Sequence, residues 1–413
     1  MRPAAARVIA LAVHLGFAGA AFAGIAQSDG SVASVAPPPA AVAPPPANVA
    51  APGEGTAGAD DAYPDSGLAA PLPVEPFELL GKKVEPGARA RLDLELSESF
   101  TGRAVVAPVE VIHGLGRGRV LCLTAGIHGD EIVGIEVVRR IVEHVDESVL
   151  VGTVIAVPVA NPMGFRQSSR YLPDRRDLNR YFPGRPYGSS ASRIAHRLFE
   201  SVIRRCDLLV DFHSGSFHRA NLPQTRADLS DPKLQELAQW FGAPVVVHSE
   251  GRPGTLRRAA VDEGIPALLY EAGEPMRFDE ASVASGVEGT LALLARLGMQ
   301  GDVPEEVLPS QVFRGSTWVR ADAGGIFLAH AQLGDWVEAE QVLGAVTNPF
   351  THERVEVRAL RSGRIIGRAV DQVVTPGYAL FHVGTVGLSP DSADSIEPAG
   401  ADADGVEAEE RPE

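Results

Sequence analysis

An α/β domain with a mixed, mostly parallel sheet flanked by helices, followed by a small all-β barrel or sandwich, is the fold class that this 413-residue chain predicts. Three observations lead there. Between about 77 and 309, short apolar runs alternate with helical periods, the pattern of strands covered on both faces. From about 310 to 388 the helical period vanishes, and glycines such as Gly315, Gly334, Gly344, Gly363 and Gly377 punctuate short β segments. Outside these limits the composition cannot build a core: residues 31–76 hold eleven prolines and thirteen alanines, and residues 389–413 hold nine acids against one arginine.

The elements follow in chain order. Residues 1–23 combine a basic start (Arg2, Arg7), an apolar stretch from Val8 to Phe22 and Ala21-Phe22-Ala23, which together read as an export signal cleaved near Ala23. The mature chain is then expected to be periplasmic or secreted, with no membrane span. Residues 24–76 read as a Pro/Ala-rich tether. Strands are predicted over 88–96, 104–113, 119–125, 154–159, 208–212, 243–247 and 267–270, and helices over 132–145, 191–204, 231–241, 255–263 and 279–297. In the first helix, Ile135, Val138, Ile141 and Val142 share a face. A domain covering 77–309 is therefore followed by a β domain over 310–388 and an acidic tail over 389–413.

Charge excludes one class of partner. The net charge is −16, most of it in the linker and tail, so the folded part offers no cationic field for nucleic acid. Two cysteines, Cys122 and Cys206, both in apolar runs, are expected as buried free thiols, a single disulfide being the alternative.

Chemistry-bearing residues gather at the ends of the predicted strands, where sites lie in open α/β sheets. Gly126-Ile127-His128-Gly129-Asp130-Glu131 follows the 119–125 strand, and an imidazole and a carboxylate three residues apart on one turn suit Zn²⁺. A third ligand is available in His213, at the end of the 208–212 strand, with Asp211 two residues earlier on the same strand face to orient it. The segment 170–180 brings Arg170, Arg175, Arg176 and Arg180 together with Asn179, the residue types that fix a substrate carboxylate. Glu271 ends the 267–270 strand, a costly place for a charge unless it is used, and is the candidate general base.

The motifs GIHGDE, NPMGF, DLNRYFPG, DFHSG and GTLRRAA–GIPALLYEAGE, in this order, resemble the succinylglutamate desuccinylase/aspartoacylase family, the deacylase branch of the zinc carboxypeptidase-like hydrolases. The resemblance spans about 80–388. It implies one zinc per chain on His128, Glu131 and His213, with Glu271 activating the water. It further implies that Asn179 and Arg180 hold the substrate carboxylate and that an upstream arginine polarises the scissile carbonyl. That arginine is Arg170 by position, with Arg175 and Arg176 as alternatives because the spacing to DLNR is longer than in the aspartoacylases.

The implied activity is zinc-dependent hydrolysis of an amide in an N-acyl amino acid or similar small carboxylate. A zinc carboxypeptidase trimming short peptides is the alternative within enzymes, and a non-catalytic binding module the alternative outside them. The segment after His213 (SFHRANLPQTRADL) carries no substrate signature. Gly334-Asp335-Trp336-Val337 and Gly377-Tyr378-Ala379-Leu380-Phe381 resemble a biotinyl/lipoyl-type barrel, but no lysine follows Lys233, which favours a structural or capping role. His218, five residues beyond His213, is the other histidine near the expected site.

Overall fold

The protein is described here by a computed structural model covering residues 74–98, 101–303 and 310–386. The expected export signal, nearly all of the expected tether and the acidic tail lie outside the described residues.

The chain begins with the short pair β1 (Phe77–Leu79) and β2 (Lys82–Val84), then the long antiparallel pair β3 (Ala88–Glu98) and β4 (Ala104–His113). An alternating region follows: β5 (Gly116–Ala125), α1 (Ile132–His144), β6 (Val151–Val157), α2 (Pro162–Arg166), α3 (Ser190–Ser201), β7 (Leu208–His213), β8 (Arg219–Ala227), α4 (Pro232–Phe241), β9 (Val245–His248), α5 (Leu256–Asp262), β10 (Ala267–Gly273) and α6 (Glu280–Arg296). The C-terminal region is all β: β11 (Gln311–Phe313), β12 (Gly315–Arg320), β13 (Gly325–Ala329), β14 (Trp336–Val337), β15 (Val342–Thr347), β16 (Arg354–Arg358), β17 (Gly363–Ala369), β18 (Val373–Val374) and β19 (Ala379–Thr385).

One large sheet runs in the order β12-β19-β17-β8-β10-β7-β5-β6-β4-β3. Its middle, β10-β7-β5-β6, is parallel. The fold class is as the sequence predicts, with helices on both faces of this sheet and an antiparallel β region after it. Capping side chains mark the helix starts: Asp231 before Pro232, Thr255 and Asp279 each accept a hydrogen bond from a first-turn N–H.

The pleat sorts side chains between two cores. Leu121, Leu123, Leu208, Val210, Phe212, Leu268 and Tyr270 pack with α1, α4 and α6, while Cys122, Leu209 and Ala267 face α3 and α5. Asp211, His213 and Glu271 therefore share the α3/α5 face with Leu209 and Ala267. Among the described residues no helix is long and apolar enough to cross a membrane.

Two features depart from the sequence expectations. The first is β8, which lies in the segment that carried no signature. It pairs antiparallel with β10 along one edge; along the other, its first half pairs with β17 and its second half with β9. The C-terminal strands β12, β14, β17 and β19 are thus hydrogen-bonded into the main sheet through β8, while β13, β15, β16 and β18 form a separate four-stranded sheet. The second corrects the reading of the cysteines. Cys122 and Cys206 are disulfide-bonded, with Cα atoms 5.7 Å apart and a sequence separation of 84. Cys122 lies on β5 and Cys206 just precedes the neighbouring parallel strand β7, so adjacency in the sheet, invisible in the chain, brings them together.

Closing a loop of that length removes unfolded-state entropy worth roughly 4–5 kcal/mol. The double variant Cys122→Ala/Cys206→Ala is therefore expected to unfold roughly 5–15 °C below wild type in calorimetry. Thiol titration of denatured, unreduced protein from an oxidising compartment should find no free thiol. A full complement of thiols with an unchanged Tm would show that the bond contributes nothing.

Candidate functional site

The sheet delivers its polar residues to one edge. β5 ends at Ala125, and the turn that follows holds His128 and Glu131 before α1 begins. That turn is tightly seated, since a Cβ on Gly129 would fall 1.9 Å from the Gly164 carbonyl carbon at the start of α2. Asn161, of the NPMGF motif, caps α2 by accepting from Gly164 N and donates Nδ2 to Ile127 O. This motif is therefore a cradle for the His128 turn. Glu131 occupies the N-cap position of α1 without using its side chain as a cap, which leaves the carboxylate to face the site.

His213 at the end of β7 lies in register with Glu271 on β10. His128, Glu131 and His213 are all buried, and their potential ligand atoms lie within 4.8 Å of one another. Both imidazoles turn Nδ1 inward. His128 Nδ1 is 2.7 Å from Glu131 Oε1, His213 Nδ1 is 2.7 Å from Glu131 Oε2, and the two Nδ1 atoms are 3.2 Å apart. Both also tie Nε2 to a carboxylate behind: Asp177 Oδ1 at 3.2 Å for His128 and Asp211 Oδ2 at 2.9 Å for His213. Thr124 donates to the other oxygen of Asp211. A carboxylate on the outer nitrogen fixes the ring and its tautomer so that the inner nitrogen is offered to a cation. Two imidazoles and one carboxylate, each held this way, fit a divalent metal.

Electrostatics agree with that fit. Burial alone pushes the Glu131 carboxyl up, but the His128 and His213 imidazoles bring it well below the usual carboxylate range. Burial likewise opposes charge on His213, and Asp211 and Glu131 overcome it, so its pKa lies well above the ordinary histidine value. Asp177 is held well below the usual range against its own burial by Arg170 and His128. A cation taken up at these imidazoles therefore competes with their protons.

Arg170 is buried beside the cluster. It donates Nη2 and Nε to Asp177 Oδ2, places Nη1 3.2 Å from Glu131 Oε1, and donates Nη1 to Ser216 Oγ at 2.6 Å. Arg176 instead bonds Asp174 and the Tyr181 hydroxyl. Neither Arg175 nor Arg176 lines the depressions beside the cluster. Asn179 and Arg180 lie on a single 3-10 turn capped by Asp177, and Asn179 Oδ1 accepts from Leu256 N at the start of α5. Glu271 is buried at the strand end with Arg226 Nη2 2.8 Å from its Oε2. His218 points away, with its side chain largely exposed near Asp371.

The structure thus brings His128, Glu131, His213, Arg170, Asn179, Arg180 and Glu271 to one edge. Sequence reasoning missed Asp177, Ser216, Arg226 and Trp318, which line or support the same place. Asp177 carried a signal, being the acid inside the arginine-rich DLNR segment. Arg226 and Trp318 carried none, because each reaches the site only through sheet pairing.

A buried His–Glu–His set able to hold a metal, at the carboxyl edge of an α/β sheet with an arginine and a carboxylate beside it, suits metal-assisted hydrolysis. The comparisons narrow the class. Residues 117–297 match the Succinylglutamate desuccinylase/Aspartoacylase catalytic domain. The chain is 30% identical over 313 residues to the N-alpha-acetyl-L-2,4-diaminobutyric acid deacetylase of Halomonas elongata, covering 72% of this chain and 90% of that protein. Among solved structures it is similar to a succinylglutamate desuccinylase from Silicibacter sp. TM1040, with 27% identity, TM-score 0.67, and 78% and 100% of the two chains covered. It is also similar to the product-bound ectoine utilization protein EutE (DoeB) from Ruegeria pomeroyi, with 25% identity, TM-score 0.67, and 77% and 98% covered. The chain belongs to the succinylglutamate desuccinylase/aspartoacylase family.

Two outcomes follow from the geometry. His128→Ala, Glu131→Ala and His213→Ala should each lower metal stoichiometry measured by elemental analysis, whereas His330→Ala and His352→Ala should not; full occupancy in the His213 variant would refute the cluster. Because the pKa of His213 is raised in the metal-free protein, metal uptake must displace its proton. Apparent metal affinity should therefore rise with pH until His213 loses its proton, a point shifted upward from the ordinary histidine range, with proton release visible as buffer-dependent calorimetric enthalpy. An affinity that does not change with pH there would contradict the charge assignment.

Proposed function

We propose that the protein is a zinc-dependent deacylase that hydrolyses the amide bond of an N-acyl amino acid. The observation that carries this reading is the paired arrangement of His128 and His213, each with Nδ1 on Glu131 and Nε2 on its own carboxylate. Bound by these three residues, zinc would supply Lewis acidity toward water and the amide carbonyl.

The chain's own groups carry the remaining steps. Glu271 takes the proton of the attacking water and returns it to the departing amine nitrogen, with Arg226 fixing the carboxylate's direction. Arg170, anchored through Asp177, turns Nη1 toward the carbonyl oxygen and meets the negative charge that develops there. Asn179 Nδ2 and the Arg180 guanidinium hold the amino-acid carboxylate, since Asn179 Oδ1 is already committed to Leu256 N. The relatives' names support this substrate class: one is a deacetylase of an acylated diamino acid, another a desuccinylase. Export belongs to the same proposal, and the Cys122–Cys206 disulfide supports it, because such bonds persist in oxidising compartments.

Purified protein should release free amino acid from N-acyl amino acids, and chelator should abolish and zinc restore the activity. Glu271→Gln keeps shape but cannot accept the proton, so kcat should fall by roughly 10²–10⁴ with zinc content intact. Arg180→Lys keeps the charge and loses the planar fork, so KM should rise more than kcat falls. Wild-type rates on a carboxamide in place of the carboxylate would refute the anchor.

A further inference from the structure

The turn that carries the chain from β7 to β8 holds two consecutive side-chain-bearing residues in the left-handed region, Phe217 at φ 52° and His218 at φ 54°. Neither residue type enters that region without cost, because Cβ crowds the following carbonyl oxygen there. The turn is also tightly wound, since a Cβ on Gly215 would fall 2.0 Å from the Arg219 carbonyl oxygen. Such a backbone persists only where its surroundings hold it.

The holding contacts are specific. Gly215 N donates to Gly273 O of β10 at 3.1 Å, and Arg219 Nη1 donates to Ser216 O at 3.2 Å. Tyr378 donates its hydroxyl to Phe217 O at 2.9 Å, and Val370 N donates to His218 O at 2.7 Å. All but the first run through the C-terminal region. Tyr378 and Val370 belong to it, and the Arg219 guanidinium carbon lies 5.3 Å from the centres of both the Trp318 and the Tyr378 rings. Tyr378 is itself fixed, because Gly377 N donates to Ala321 O and Ala321 N donates to Tyr378 O. Its hydroxyl also lies 3.3 Å from Asp371 Oδ2. Burial and that carboxylate raise the phenol above its ordinary pKa against the pull of Arg219, so the group stays a donor.

The turn in its left-handed form grips one side of Arg170. Asp177 Oδ2 takes Nε and Nη2 of that arginine. Nη1 is set from the turn: Ser216 Oγ accepts from it at 2.6 Å and donates to Glu131 Oε1 at 3.0 Å. The guanidinium carbon lies 5.1 Å from the centre of the Phe217 ring. A turn relaxed into the extended region would carry both the hydroxyl and the ring away from Nη1.

We propose that Tyr378 is a positioning residue for Arg170: by holding the left-handed turn at Phe217 and His218 it keeps Nη1 aimed where charge develops on the carbonyl oxygen, so the C-terminal region helps to set the reaction rate. The inference rests on the deacylase reading above, which gives Arg170 that task.

The test follows wild type, Tyr378→Phe and Tyr378→Phe/His218→Gly as full-length, metal-loaded proteins. Steady-state kinetics on an N-acyl amino acid are read beside amide hydrogen exchange over residues 214–219. Tyr378→Phe removes one hydroxyl and keeps the ring. Its kcat should fall roughly 5–50-fold, with KM within about twofold of wild type and metal content intact. Exchange over 214–219 should speed up by roughly tenfold. Glycine enters the left-handed region freely, and the His218 side chain is largely exposed, so the second substitution should recover much of both losses. In an Arg170→Gln background, Tyr378→Phe should change kcat by less than about twofold, because the group that it positions is gone. An unchanged kcat, a loss confined to KM, an equal loss in that background or unchanged exchange would overturn the proposal and leave the deacylase reading in place. Protection lost and regained in this pattern, in a protein that hydrolyses no N-acyl amino acid, would support the brace and remove the deacylase reading.

Discussion

Three carboxylates, Glu131, Asp177 and Asp211, are buried within hydrogen-bond reach of two imidazoles, and the rest of the site depends on keeping that cluster neutralised. Buried charge is tolerated only when paired and oriented. Each element around the cluster can be understood as a way of meeting that condition. Asp177 serves His128, Arg170 and the turn bearing Asn179 at once. Thr124 saturates Asp211 from the neighbouring strand. Ser216 links Arg170 to Glu131. Loss of one member leaves the others uncompensated, so the cluster behaves as a unit rather than as a set of separable ligands.

The parallel strands supply the geometry. Because β5, β7 and β10 are parallel neighbours in register, Thr124 faces Asp211 and His213 faces Glu271 across adjacent strands. A one-residue slip would send these side chains into the apolar core beneath α1 and α6. Leu208, Val210, Phe212 and Tyr270 guard against that slip, since each would exchange a buried position for a polar one.

Much of this was legible in the chain because it is local. His128 and Glu131 share one turn, and His213 and Glu271 end apolar strands, so a period of two and a position were enough to find them. The deacylase motifs then supplied the order. What stayed hidden was set by pairing between distant segments. β8 carries Pro223 in its middle, which argues against a strand, yet its ladder with β10 is bulged between Asn221 and Gln224, so an irregularity accommodates the proline. With β8 unrecognised, nothing in the segment pointed to Arg219 or Arg226. Trp318 lies 105 residues beyond His213 and enters the site only because β12 is carried in by β19, β17 and β8. The cysteines were hidden for the same reason, as partners on neighbouring strands rather than in neighbouring sequence.

The shared strand β8 also bears on how such a protein can be divided or recombined. A boundary drawn near residue 310 by composition cuts between two textures but not between two hydrogen-bonded bodies, because Asn221, Ala220 and Arg219 pair with Gly367, Arg368 and Ala369. A fragment ending after α6 would leave half of β8 as an open edge, a template for association with other chains. It would also strip one wall from the depression beside Glu271. A hybrid that takes its C-terminal region from another family member therefore exchanges part of the lining of that depression along with it, because Trp318 shares it with Arg219 and Asn221 of β8.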